Sequence, residues 1–533
     1  MRIFSERVKI RRTSLLATVL VVALASAGCV SATSPNGASS SAEADAGPPQ
    51  YGGVFRYASV GTQTKYDPIK RTVMDPSMNA IYDTLMRYDD KGIPEPYLAE
   101  ALSSVDAKTW TLKLRPDVKF HDGTKLDADA VVFNIKRHQD PANASAAASY
   151  VRDIESAVAN DPLTVLFTLK TPIASFPSTL TTAVGAIASP AAVAAAGADY
   201  GRKSAVGVGA FRFTEWQPDQ RLVLKRNPDY WQKGLPYLDE FQELPMSDTE
   251  TRRAAFTGGQ LEAAWLGEPL EINWAASNPE IARLHSPKGG VGGVGVGFQM
   301  NRAPFDDLRL RKAVAMAIDY NALNQTQFQG KMPAMRGPFI EGSFWYTGTT
   351  KWPEFNADSA RALVNEYKAE HGGQLAFTLS CHSAAQARRL AETLQNLFTQ
   401  VGMTVTLDTP DVGKFVNQVF AGDYQIACWT RSGSEPDVAY YPAFTCNGPK
   451  TQNVFSYCSE AADKALSDAR STLNLDERKA GYARFEAEIA KDLPMLWNWG
   501  VVFSVITKPK AHGFKGDLGN PVDYQPAYLW LEK

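Results

Sequence analysis

The sequence predicts an α/β protein with more than one lobe. Three observations carry this: strand-like and helix-like runs alternate through the second half, the first half alternates apolar and polar residues over short stretches, and 533 residues, 44% of them hydrophobic, can enclose more than one core.

The chain opens with MRIFSERVKIRR, rich in basic residues, followed by TSLLATVLVVALASAG, a short apolar run that stops at Cys29. Basic, apolar and small-residue regions in that order predict a secretory signal peptide over residues 1–28. A membrane-anchoring helix would need roughly 20 apolar residues, more than this run supplies. Ser26-Ala27-Gly28-Cys29 resembles a bacterial lipobox, with Ser26 where Leu is usual, and the resemblance implies lipidation of the Cys29 thiol. Arg11-Arg12 lacks the Phe that a twin-arginine signal carries two positions on, which favours ordinary secretion. Residues 29–50 are rich in Ser, Ala, Gly and Pro and predict a flexible tether. The expectation is a protein exported and lipid-anchored at the outer face of the cytoplasmic membrane.

Residues 1–28 carry five basic and one acidic side chain, so the mature chain keeps 50 basic and 56 acidic groups, a formal net charge of −6. A net negative chain disfavours nucleic acid as a partner. After Cys29 the longest apolar stretch, PMLWNWGVVFSVIT, is interrupted by Asn498 and is too short to span a bilayer.

The folded part is expected to begin near Tyr51, with GGVFRYASV as a strand and Gly52-Gly53 as its hinge to the tether. TWTLKLRPDVKF alternates with period two, His121-Asp122-Gly123 marks a turn, and LDADAVVFNIKRH has helical spacing with Asp127 as its cap. LTVLFTL is a further strand, and SPAAVAAAGADYG, with Pro near its start and Gly near its end, is a surface helix. Beyond residue 300, DDLRLRKAVAMAIDY places Leu310, Ala313, Val314, Ala317 and Ile318 on one face. QLAFTLSC, MTVTLD and YQIACW then read as strands separated by the helices AAQARRLAETLQNLFTQVG and VGKFVNQVFAGD, which predicts a parallel sheet with right-handed crossovers. Open sheets of this kind bind ligands beyond the carboxyl ends of their strands. CWTRSGSEPDVAYY follows such an end and reads as a strand running into a polar loop, with Trp429, Arg431, Glu435 and Asp437 forming a ligand wall, an acid/base site or a solvated turn.

Residues 289–297, GGVGGVGVG, match Gly-x-Gly-x-x-Gly at Gly290, Gly292 and Gly295, but no helix follows. A glycine-rich strand or crossover near a domain boundary explains them better than a dinucleotide site. No metalloprotease, serine-hydrolase, Cys-x-x-Cys or P-loop motif occurs, and His121, His138, His285, His371, His382 and His512 are scattered without metal-ligand spacing. No enzyme activity, cofactor or metal is expected. Cys446 and Cys458 flank a short polar loop that one disulfide would clip, the alternative being two buried thiols, whereas Cys381 and Cys428 each end a strand-like run and read as buried free thiols.

Four blocks carry a family resemblance: IYDTLMRYDDKGIPEPYLAEAL with WTLKLRPDVKFHDGTKLDADAVVFNI, then VGVGAFRFTEWQPDQRLVLKRNPDYW, then MNRAPFDDLRLRKAVAMAIDYNAL, then the run to CWTRSGSEPD. In this order they resemble the family 5 extracellular solute-binding proteins, the peptide- and nickel-binding receptors of ABC importers. The resemblance implies a two-lobed periplasmic-binding-protein-like fold of the class with an enlarged N-terminal lobe, its mixed sheets joined by a two-segment hinge. Lobe I is then expected over 51–300 with an inserted subdomain about 90–205, lobe II over 301–500, and a return to lobe I over 501–533. It also implies a monomeric receptor that closes on a peptide or peptide-like solute and presents it to a membrane permease. The same role for a sugar conjugate, an anionic small molecule or a metal chelate is the alternative, and a secreted hydrolase a remote one.

Similar proteins clip the loop between Cys446 and Cys458, and their strand equivalent to LPMLWNWG brings aromatic residues to the cleft. Period two would put Trp497 and Trp499 on one face and Leu496 and Asn498 on the other, with the tryptophans divided between core and pocket. In peptide receptors of this kind an Asp three residues beyond the equivalent of Trp429 takes the peptide's α-ammonium. Here that position is Ser432, and Glu435 and Asp437 are the nearby replacements, while Arg431 suits a carboxylate or phosphate.

Overall fold

The computed structural model describes residues 47–533 apart from 62, 73, 90, 286–290, 331–334, 434, 501–502 and 516–523. The expected signal peptide, Cys29 and most of the tether lie outside the described residues.

The first lobe is built on a seven-stranded sheet in the order Arg283–His285, Ser504–Thr507, Ala263–Leu266, Val54–Ser59, Glu240–Pro245, Arg221–Arg226 and Phe211–Gln217. Val54–Ser59 lies at its middle, parallel to both neighbours. Such a strand is covered on both faces, and Phe55, Tyr57 and Ala58 are all buried. Gly52 and Gly53 turn the chain into it at φ 103° and 95°, where an L side chain would be strained.

A subdomain carries a four-stranded antiparallel sheet in the order Ala99–Ser103, Thr109–Leu114, Thr164–Leu169 and Ile154–Asp161. Alternation decides its faces: Trp110, Leu112 and Leu114 are buried, while Thr109, Thr111 and Lys113 are exposed. The helix Ala128–Gln139 buries Val131 and Ile135 in the same core, and its Asp127 cap accepts from the Ala130 N–H at 2.9 Å.

The second lobe holds a five-stranded sheet in the order Thr404–Asp408, Ala376–Ser380, Ile426–Gly433, Val291–Phe298 and Met495–Gly500. The expected parallel sheet is mixed: the first three strands are parallel, but Val291–Phe298 runs antiparallel to both of its neighbours. The glycine-rich stretch is therefore a strand of this sheet. Its composition follows from crowding. A Cβ at Gly295 would meet the Leu496 carbonyl oxygen at 1.8 Å, and one at Gly297 would meet the Phe455 ring at 2.2 Å. The chain returns after Gly500, and Ser504–Thr507 pairs with Ala263–Leu266 and Arg283–His285 in the first sheet.

Cys446 and Cys458 are joined by a disulfide. Cys381 and Cys428 are joined as well, which corrects their reading as free thiols. The cause is register: Leu379 pairs with Ile426 and Ser380 with Ala427 in parallel strands, so the next two residues arrive side by side with their Cα atoms 4.9 Å apart.

Candidate functional site: a free strand edge and an aromatic wall

In lobe II the carboxyl ends of three parallel strands lie together, at Ser380, Asp408 and beyond Ala427. The strand Ile426–Gly433 outruns its parallel neighbour, because Val291–Phe298 pairs with it along its whole length whereas Ala376–Ser380 reaches only Ala427. Residues 430–433 are thus strand rather than loop. Among the described residues, one edge of the strand is unpaired from Cys428 to Gly433. Thr430 and Ser432 are exposed there, while the alternate residues Trp429 and Arg431 are half-buried.

Trp429 packs against Phe415 and Phe420, with ring centroids 6.0 and 6.1 Å away, and its indole N–H is buried without a partner among the described residues. His382, at the end of the neighbouring strand, lies 5.7 Å from the Phe415 ring. Burial lowers its pKa, which favours the neutral imidazole. Arg431 donates from Nη1 to Gln452 Oε1 at 2.9 Å and from Nη2 to the Gln452 carbonyl, while its Nε is buried and unpartnered among the described residues. Burial brings the guanidinium down to about 10. Its hydrogen-bond partners are neutral groups, so this cation is solvated by amide oxygens and not paired with a carboxylate.

Four expected ligand contacts are placed elsewhere. Glu435 caps the helix Pro436–Phe444 and accepts from Arg478 Nη2 at 2.6 Å, and Asp437 in the first turn accepts from Arg470 Nη1 at 2.7 Å. Both carboxylates are buried, so the polar turn read from Glu435-Pro436-Asp437 is a helix start bound to two arginines. Trp497 and Trp499 are buried too, and they do not share a face. Trp497 enters the core of Phe444 and Tyr482, whereas Trp499 enters that of Leu310 and Leu394. A bulge at Asn498 reverses the alternation between them.

Sequence reasoning missed an aromatic pair on the first lobe. At the carboxyl end of Ala263–Leu266, Trp265 lies 5.7 Å from Phe503, which is 44% exposed, and Leu270 on the helix Pro269–Ala276 is 49% exposed. Arg252 sits 5.7 Å from the Trp265 ring and is itself buried and paired with Glu271 at 3.1 Å. Applying the carboxyl-end rule to the first lobe as well as the second would have found this pair. The free edge offers main-chain hydrogen-bonding groups and neutral hydroxyls, and aromatic side chains lie near it and, separately, on the first sheet, groups suited to holding a solute rather than to chemistry on it. Among the described residues no group of three His, Cys, Asp or Glu could hold a metal ion.

Two sheet-centred lobes, crossed twice by the chain, define a two-lobed binding protein. Solved structures share the fold: the DppA periplasmic binding protein of Helicobacter pylori in complex with the peptide STSA (TM-score 0.76, 24% identity, 91% of this chain and 99% of that one) and the oligopeptide-binding protein AppA of Bacillus subtilis with a nonapeptide (TM-score 0.74, 23% identity, 91% and 100%). In sequence, residues 94–452 match the family model described as bacterial extracellular solute-binding proteins, family 5 middle. The chain belongs to the family 5 bacterial extracellular solute-binding proteins, which deliver their ligands to ABC importers. Relatives include the glutathione-binding proteins GsiB of Pectobacterium atrosepticum, 29% identical over 407 residues (74% of this chain, 77% of the relative), and of Escherichia coli K12, 29% identical over 429 residues (78% and 82%). These named relatives are binding proteins. No helix among the described residues is long and apolar enough to cross a membrane.

Proposed function

We propose that the solute is a peptide or a peptide-like compound, laid as an extended chain along the unpaired edge of Ile426–Gly433 and covered by Trp265 and Phe503 when the lobes close. The free edge is the observation that carries this reading: it presents main-chain donors and acceptors beyond the end of its parallel neighbour, the arrangement that receives an added strand. The glutathione-binding relatives support a solute of peptide type. Ser432, exposed where a carboxylate would take an ammonium, supports recognition that does not depend on a free α-amino group. Arg431, held by neutral partners, supports a solute that carries a carboxylate.

In this reading the protein is a monomer without enzymatic activity. Residues 1–28 are its signal peptide, and a lipid on Cys29 holds it at the membrane beside its permease. Lobe I comprises residues 51–285 with the inserted subdomain and 504–533, and lobe II comprises 291–500.

Calorimetry of protein freed of solute tests the ligand. Reduced glutathione and short peptides should bind, N-acetylation should change affinity less than about threefold, and Ser432→Asp should restore a preference for the free amine by about 10-fold or more, the size of one charge-assisted hydrogen bond. Failure of every peptide to bind would sink the peptide reading, and mass spectrometry of solute carried through purification would then name the class. Membrane fractionation tests the anchor: Cys29→Ala should release the protein or stall its processing.

A further inference from the structure

We infer that Arg470 is a positioning residue for lobe closure, part of a polar clamp between lobe II and the subdomain that favours the closed form whether or not solute is bound. This inference rests on the two-lobed architecture and not on the identity of the solute.

The lobe II half of the clamp is complete in itself. Glu435 is paired with Arg478 at 2.6 Å and Asp437 with Arg470 at 2.7 Å, all four side chains coming from elements of lobe II. The subdomain adds groups to these pairs without replacing any. The Ser175 hydroxyl donates to Asp437 Oδ2 at 2.6 Å, and the Ser178 hydroxyl donates to Glu435 Oε2 at 3.2 Å. Arg470 uses its second terminal nitrogen to reach Asp153 at 2.9 Å, and its main-chain carbonyl accepts from the Ala174 N–H at 2.7 Å. Arg470 is therefore gripped by the subdomain at both its guanidinium and its backbone.

The division of labour makes the contact reversible. A buried ion that loses its only partner is strongly destabilising. Here the ions of lobe II keep their partners when the subdomain withdraws, and what is lost is two hydroxyl bonds, one backbone bond and one partly exposed carboxylate, Asp153, whose side chain is 30% exposed. Asp153 can return to water at little cost. Glu435 lies two residues beyond Gly433, the end of the free strand, whereas Asp153 and Ser175 belong to the subdomain, so changes at those two positions act on solute binding through the population of the closed form, which scales apparent affinity.

Hydrogen exchange of the mature protein, freed of solute and resolved to the Ala174 amide, tests this together with small-angle scattering. In the parent the Ala174 amide should be protected. Asp153→Asn and Ser175→Ala should each speed its exchange about tenfold and enlarge the radius of gyration, by loss of one charge-assisted hydrogen bond. The Leu169 amide, bonded within the subdomain to the Lys108 carbonyl, should not change. An unprotected Ala174 amide in the parent, unchanged exchange in both variants, or an acceleration shared equally by Leu169 would each overturn the clamp.

Discussion

Trp497 and Trp499 stand two positions apart in one strand and enter different cores. Gly295 pairs with Trp497 and Val294 with Trp499, so Asn498 is an extra residue and the side-chain alternation turns over at it. Trp497 lies 5.6 Å from Trp352, while Trp499 lies 4.6 Å from Phe328. Both are packing residues. Trp497→Ala and Trp499→Ala should each cost about 3–5 kcal/mol of stability, with solute affinity per folded molecule unchanged. Denaturant midpoints beside calorimetry check this, and a variant of parental stability that has lost affinity more than tenfold would place its tryptophan at the solute.

The two disulfides close loops of different length. With sequence separations of 47 for Cys381 and Cys428 and 12 for Cys446 and Cys458, chain entropy gives about 4 and about 3 kcal/mol respectively. Replacing each pair by alanines should therefore destabilise more at the first. Peptide mapping under non-reducing conditions is the direct check, and recovery of Cys381 and Cys428 as free thiols would remove the first pair.

Local chemistry made most elements legible. Asp127 as a cap, the alternation from Thr109 to Leu114, and the face of Leu310, Ala313 and Val314 all depend on residues within a few positions of one another. What could not be read depends on partners distant in the chain. Thr430–Gly433 looked like a loop because its polar residues carry no sign of Val291–Phe298, which holds them in a strand. Glu435 and Asp437 looked available because Arg470 and Arg478 lie more than thirty residues away, and the pairing of Cys381 with Cys428 needed a register that only the sheet supplies. The site suffered most. Ser432 was found at the free edge, but the aromatic pair on the other lobe joins Trp265 to a residue that follows the return crossing.

Asp83 makes stability depend on pH. Its Oδ2 accepts from the Tyr230 hydroxyl at 2.8 Å and from Trp231 Nε1 at 2.6 Å, while Oδ1 is buried without a partner among the described residues. Burial raises its pKa from 3.8 to about 7, against the opposing effect of those hydrogen bonds. Between these values the folded protein holds a proton that the unfolded chain has released, so the contribution of Asp83 to stability falls as pH rises through that window. Asp83→Asn keeps an acceptor for both donors and no longer titrates. The variant should gain on the order of 1–3 kcal/mol over the parent at pH 8, keep only part of that gain at pH 5, and lose it below the unfolded value of 3.8. Equal differences in melting temperature at the two pH values would rule out the titration.

Trp265 and Phe503 carry the last prediction, which concerns the wall of lobe I. Their rings are 5.7 Å apart and tilted by 33°, held by the pairing of Trp265 with Val505 two residues beyond Phe503. Phe503 is too exposed to contribute much to the core, so its removal should cost little stability. An aromatic contact made only in the closed complex contributes about 0.5–1.5 kcal/mol beyond the area it buries, so Phe503→Ala should weaken solute binding about 2- to 13-fold and Trp265→Ala by at least as much. Trp265→Ala also uncovers the Arg252–Glu271 pair and should lower the melting temperature, whereas Phe503→Ala should not. Titration calorimetry separates the two effects. If Phe503→Ala binds the solute as tightly as the parent, the aromatic pair belongs to the outer surface of lobe I and the cleft is walled elsewhere.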